Sequence, residues 1–141
     1  MKKADIYIGV DSCAPRKSWK SFGYVLECEV SGEMITREGF GKVVGTYHGA
    51  VITAIGKALE RFSESCEICI HTEDSFVLNM LERNLSVWAG NEFMTTKGKP
   101  VANKEEWLEV WKASKKHLIS TKVGAHPYSA WLLDQMKQRK E

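Results

Sequence analysis

The sequence predicts an α/β fold whose core is a mixed β-sheet flanked by helices. Three observations carry this expectation. The chain opens on an apolar run, Ala4-Asp5-Ile6-Tyr7-Ile8-Gly9-Val10-Asp11-Ser12-Cys13, rich in residues that suit a strand buried on both faces. Two further strand-like stretches follow closely enough to form an antiparallel meander. A helix-periodic segment then leads into another short apolar run, the pattern of a βαβ crossover. The expected order is βββ-α-β-α-α-β-α. The 141 residues are read as one domain, 1–141, without internal repeat, low-complexity segment or linker.

The first strand stops at Asp11. Residues i and i+2 share a strand face, so Asp11 lies on the side of Tyr7 and Gly9, and Gly9 removes bulk beneath the carboxylate. Such a carboxylate is either a turn residue or a holder of a divalent cation. Residues 12–21 read as a loop carrying Pro15, Arg16, Lys17, Trp19 and Lys20. Cations beside an indole suit a nucleic-acid backbone, and equally an ordinary solvated loop. Phe22, Tyr24, Leu26, Cys28 and Val30 then alternate with Gly23, Val25, Glu27 and Glu29, a strand of period 2. Ser31-Gly32 is a turn, and 34–43 is the returning strand.

Gly45-Thr46-Tyr47-His48 precedes a helix whose apolar stripe is Val51, Ala54, Ile55, Ala58, Leu59 and Phe62. Residues 68–72 are the next buried strand, closing on Glu73-Asp74-Ser75. Asp74 shares a face with Thr72 and Ile70, while Glu73 points the other way. Asp74 or Ser75 caps a short helix marked by Phe76, Val77, Met80 and Leu81. Residues 82–99 suggest a short helix followed by a loop. Asn103, with Glu106 three residues on, reads as a capping box for a helix faced by Trp107, Leu108 and Trp111. Residues 118–123 form a further strand, 124–127 a turn, 130–136 a last helix and 137–141 a charged tail.

Apolar content of 43% and charged content of 27% are those of a soluble globular protein. A net charge of +2 permits nucleic acid as a partner without demanding it. Met1-Lys2-Lys3 resembles the start of a signal peptide, but Asp5 and Asp11 interrupt the apolar run, and no stretch approaches a membrane span. The expected compartment is the cytoplasm and the expected state a monomer. Of the four cysteines, Cys66 and Cys69 have CxxC spacing, yet they enter a strand-like run rather than a helix, and no second ligand pair follows. Buried, reduced thiols are expected. The competing class, a small-molecule enzyme using Cys66 and Cys69, requires a thiol pair of low pKa.

Taken together, several stretches resemble type 1 ribonuclease H over nearly the whole chain. They are residues 6–13, Thr46 with Ala58-Leu59-Glu60, Thr72-Glu73-Asp74-Ser75-Phe76-Val77, Gly98-Lys99-Pro100-Val101-Ala102-Asn103 before Trp107, and finally Val123, His126 and Asp134. The resemblance implies a ribonuclease H-like fold, with a five-stranded sheet of three antiparallel strands and then two parallel ones. It implies a nuclease hydrolysing the RNA strand of RNA–DNA hybrids with two Mg²⁺ ions, or Mn²⁺ in their place. Asp11, Asp74 and Asp134 would hold the metals, and His126 would shuttle a proton. Thr46 would contact a substrate phosphate, joined by Ser12, Arg16, Lys17 and Trp19 from the first loop.

The sequence also departs from that family. Counting back from Ala58-Leu59-Glu60, the helix carboxylate of the metal site is replaced by Val51, and His48, one turn earlier, is the candidate substitute ligand. Residues 85–96 contain no Lys or Arg where the family has a basic protrusion. The stretch 126–134 is short, and Ala130 stands where Asn is expected. The alternative reading is therefore a catalytically impaired module of the same fold that binds nucleic acid or protein.

Overall fold

The computed structural model describes residues 1–139, so Lys140 and Glu141 of the expected charged tail lie outside the described residues. The elements are β1 (Lys2–Val10), β2 (Ser18–Val30), β3 (Glu33–Gly45), α1 (Tyr47–Leu59), β4 (Cys66–Thr72), α2 (Ser75–Arg83), α3 (Leu85–Gly90), α4 (Lys104–Ser114), β5 (Leu118–Val123) and α5 (Ser129–Arg139). The strands form one five-stranded sheet in the order β3-β2-β1-β4-β5. β1 pairs antiparallel with β2, and β2 with β3, whereas β1–β4 and β4–β5 are parallel. This is the mixed sheet the sequence implies.

Period 2 along the strands divides the sheet into two faces. One face presents Ala4, Ile6, Ile8, Phe22, Tyr24, Leu26, Ile68 and Ile70, which join Val51, Ile52, Ile55 and Leu59 of α1 in the main core. The other face is covered by α5, where Tyr7 and Val25 pack on Leu132 and Met136. Gly9 permits that approach, since a Cβ there would lie 3.0 Å from Leu132 Cβ. Gly39 is required on β3, because a Cβ would meet the Tyr24 ring at 2.3 Å.

Three local expectations are corrected. β2 begins at Ser18 rather than 22, because Lys20, which reads as a loop cation, is 1% exposed. Its ammonium donates to Arg16 O at 2.9 Å, Ser18 Oγ at 2.8 Å and Gly45 O at 2.7 Å, which satisfies its three donors. Three helices, one more than the expected order counts, separate β4 and β5; the short helix expected within 82–99 is α3, which docks through buried Leu85 and through Trp88, which meets Trp107 of α4 at 5.6 Å. Asn103 precedes α4 without a side-chain cap, so the capping box does not form. Its backbone is left-handed, φ 60°, and its side chain turns instead to the first turn of α1 beside Gly49. No helix among the described residues is long and apolar enough to cross a membrane.

Candidate active site at the strand rim

β1 and β4 are neighbouring parallel strands, so both deliver their carboxyl ends to one rim of the sheet, where α/β folds place their ligands. Asp11 follows the last residue of β1, and Asp74 follows β4 by two. Asp74 is 3% exposed. Its Oδ1 accepts the Val77 N–H at 3.1 Å, which caps α2 as the sequence suggests. Its Oδ2 lies 2.6 Å from His48 Nδ1 in the first turn of α1. The His48 ring leans on Phe76 at 4.7 Å. Asp11 Oδ1 accepts the Ser21 N–H at 2.9 Å, while its own N–H donates to Ser21 O at 3.0 Å. The rim therefore holds two oriented carboxylates from adjacent strand ends, one of them deeply buried and partnered by an imidazole.

Tyr47 completes this side of the rim. Burial pushes its hydroxyl up to about 12, and the charges of Asp74, Cys13 and Glu73 add to the effect. It is thus a neutral phenol standing among the acids. The first loop approaches from the β2 side. Ser12 Oγ accepts the Ala14 N–H at 3.2 Å, and Arg16 and Lys17 are exposed. Trp19, 73% exposed, joins Asp11, Lys20, Ser21 and Lys42 around a cleft of ≈ 460 Å³. Thr46 is the N-cap of α1, its Oγ1 accepting from Gly49 N at 3.0 Å.

Other expected members of the site stand elsewhere. Val51, counted as the lost ligand position, is 0% exposed and belongs to the main core. The polar group that α1 offers to Asp74 is His48, three residues earlier. Asp134 is exposed and accepts from Gln138 Nε2 at 2.9 Å. At 100° per residue it projects opposite to Leu132 and Met136, the residues α5 turns to the sheet. Among the described residues, the ligand atoms of Asp11, Asp74 and Asp134 do not all lie within 4.8 Å of one another.

His126 lies in the turn before α5, as expected, and is held there by backbone groups. Its Nε2 donates to Ile8 O at 2.8 Å and its Nδ1 accepts from Tyr128 N at 3.2 Å. Both nitrogens are thereby engaged by backbone, and the ring packs on Tyr7 at 5.1 Å. Burial lowers its pKa, as does His71 to a smaller degree, against opposing effects from the Ile8 carbonyl and Glu73. The cysteine pair is not a redox motif. Cys66 faces the core, 4% exposed, with its thiol pKa raised by burial, and Cys69 projects from the opposite face.

Sequence reasoning missed Tyr47 and Lys42. Tyr47 sits at the first position of α1, where only the tertiary fold reveals its acidic neighbours. Lys42 was legible in principle, since the hairpin register sets it opposite Ser21, next to Asp11.

The RNase H family model matches residues 5–130. The chain is similar to ribonuclease H of Campylobacter curvus, 27% identical over 116 residues that cover 82% of this chain and 76% of that protein. It is also similar to ribonuclease HI of Xylella fastidiosa, 32% identical over 79 residues, a match spanning 56% of this chain and 53% of that protein. Among solved structures it superposes on LC9-RNase H1, described as a type 1 RNase H with the type 2 active-site motif. The TM-score is 0.74 at 15% identity, over 98% of this chain and 70% of the other. The PFV RNase H domain aligns with a TM-score of 0.70 at 16% identity, over 96% of this chain and 92% of that domain.

Proposed function

The chain belongs to the RNase H family, and on that premise we propose that it is a divalent-metal-dependent endonuclease hydrolysing the RNA strand of RNA–DNA hybrids. The observation that supports this most is the rim pair: a buried Asp74 held by His48, with Asp11 on the adjoining strand end. Its donors fit the cation the family implies, since hard carboxylate oxygens suit Mg²⁺ or Mn²⁺. Two such ions, when bound, supply an activated water and stabilise charge on the attacking and leaving oxygens.

Asp11 and Asp74 would hold the ions. His48 fixes the Asp74 carboxylate in one orientation from α1, as α2 does through the Val77 N–H. Tyr47, kept protonated, offers a hydroxyl beside the acids without adding negative charge. Lys42, which lines the cleft beside Asp11, and exposed Arg16 and Lys17 would meet phosphates, and Ser12 and Thr46 would add hydroxyl contacts. Trp19 presents an indole to stack on a base. The protein would work as a monomer in the cytoplasm.

A labelled RNA–DNA hybrid incubated with Mg²⁺ and with Mn²⁺ tests this. Cleavage is expected, and Asp11→Asn and Asp74→Asn should each lower it by about 100-fold or more. The second reading, an impaired module that binds hybrid without cutting it, is favoured by two placements: Val51 in the core and Asp134 on the outer face of α5. Hybrid binding with no cleavage in either metal would establish that reading and reject the first.

A further inference from the structure

We propose that Asp5, Cys69 and His71 form a second cation site, for a thiophilic divalent metal of the zinc class, on the α5 face of the sheet. Among the described residues, this is the group of metal-ligating side chains whose ligand atoms all lie within 4.8 Å of one another. The strand ladder builds it. Asp5 and Cys69 are partners in the parallel β1–β4 register, and His71 follows Cys69 by two on the same face. Three ligands thus rise from two hydrogen-bonded strands, a more rigid base than a loop.

The ligand chemistry selects the ion. Thiolate, imidazole and carboxylate together suit zinc, whereas Mg²⁺ takes oxygen alone. The rim acids and this cluster therefore have different preferences. In a tetrahedral site with bonds of about 2.0 Å to N and O and about 2.3 Å to S, ligand atoms sit roughly 3.3–3.6 Å apart. The present His71 Nε2 to Asp5 Oδ1 separation is 2.7 Å, that of a hydrogen bond. A metal entering between them opens this edge by about half an ångström. Neutral His71 would bind through Nε2 with its proton carried on Nδ1, and Cys69 would bind as the thiolate, its proton going to solvent.

The surroundings hold the set and leave it a way in. The His71 ring stacks on Tyr7 at 4.3 Å with 20° between planes, and its side chain is 12% exposed. The Asp5 side chain is 36% exposed, which gives the cation a path from solvent and a fourth position for water. Asp5 and Glu27 both act on the Tyr7 hydroxyl, so the neighbourhood is negative, and Glu27 is itself held by Tyr128 at 2.7 Å. His126 stands edge-on to His71 at 6.5 Å. Cys66 takes no part: its thiol donates to Glu64 O on the core side. Ligand spacing along the chain conceals this site, because one member comes from β1 and the other two from β4.

Titration of the metal-stripped full chain with Co²⁺ tests the proposal. One equivalent should produce a thiolate-to-cobalt charge-transfer band with tetrahedral d–d absorption, and Zn²⁺ should displace it. Cys69→Ser should remove the band, and His71→Gln should weaken binding by at least about 100-fold. Asp74→Asn should leave both unchanged, which separates this site from the rim. Absence of the band in the natural chain would overturn the proposal. So would a band that survives Cys69→Ser or His71→Gln, or one lost in Cys13→Ser. If Cys69→Ser lacks the far-UV circular dichroism of the parent, His71→Gln and Asp5→Asn decide the matter on their own.

Discussion

The two faces of the sheet are made by the same strands and differ in kind. On the α1 face, Ile6, Ile8, Ile68 and Ile70 are all at most 3% exposed and meet an apolar helix stripe. One residue along, the same strands present Asp5, Tyr7, Cys69 and His71 to α5, whose apolar contribution is centred on Leu132 and Met136. The first face is sealed by volume. The second is held by specific polar contacts: His71 to Asp5, Tyr128 to Glu27 and His126 to Ile8. Alternation therefore separates two tasks within single strands, with stability concentrated on one side and chemistry left for the other side and the rim.

Substitutions that cross this divide test it. The largest effect is expected for Val51→Glu. If Val51 were a vacant ligand position the change would restore activity; buried as it is, a carboxylate there should cost about 3–5 kcal/mol or unfold the chain, read as a fall in urea midpoint. An unchanged midpoint would break the account of the α1 face. Next comes the contrast between two aspartates. Asp74→Asn should lower hybrid cleavage by about 100-fold or more, corresponding to roughly 3 kcal/mol at the transition state, whereas Asp134→Asn should leave it near the parent value. Equal losses would place Asp134 back at the metals and reject the outward phase of α5.

A smaller effect attends the cap that starts α1. Thr46→Ala should cost about 1 kcal/mol in a denaturant titration. If cleavage falls far more than that loss explains, Thr46 also meets substrate. The smallest effect is in pH. His117 beside the main core and His126 on the α5 face both have pKa values lowered from 6.5, chiefly by burial. The unfolded chain then takes up more protons just below pH 6.5, so stability should decline as the pH falls through that value, and remain level above it. His117→Gln should flatten part of the slope in a thermal-melt series, leaving the share due to His126.

Much of the fold was legible because periodicity is local. The alternation of Phe22, Tyr24 and Leu26, the stripe through Val51, Ile55 and Leu59, and the capping role of Asp74 all emerge as read. What stayed hidden depends on phase and on partners distant in the chain. Leu132 and Met136, four residues apart, fix which way α5 faces and so turn Asp134 outward, although the resemblance implies a metal role for that acid. Lys20 reads as a solvated cation because its three acceptors come from two separate segments. The Asp5–His71 contact joins residues 66 apart in sequence, which no spacing rule anticipates.

The inward ammonium of Lys20 has a mechanical consequence. It fastens the end of the first loop, the start of β2 and the last residue of β3 to a single point, one residue before Thr46. A phosphate chain pressing on Arg16 or Trp19 would push against the same anchor that sets the origin of α1, and with it the imidazole of His48. Replacing Lys20 by Met would cut these three bonds at once and so uncouple the first loop from the origin of α1.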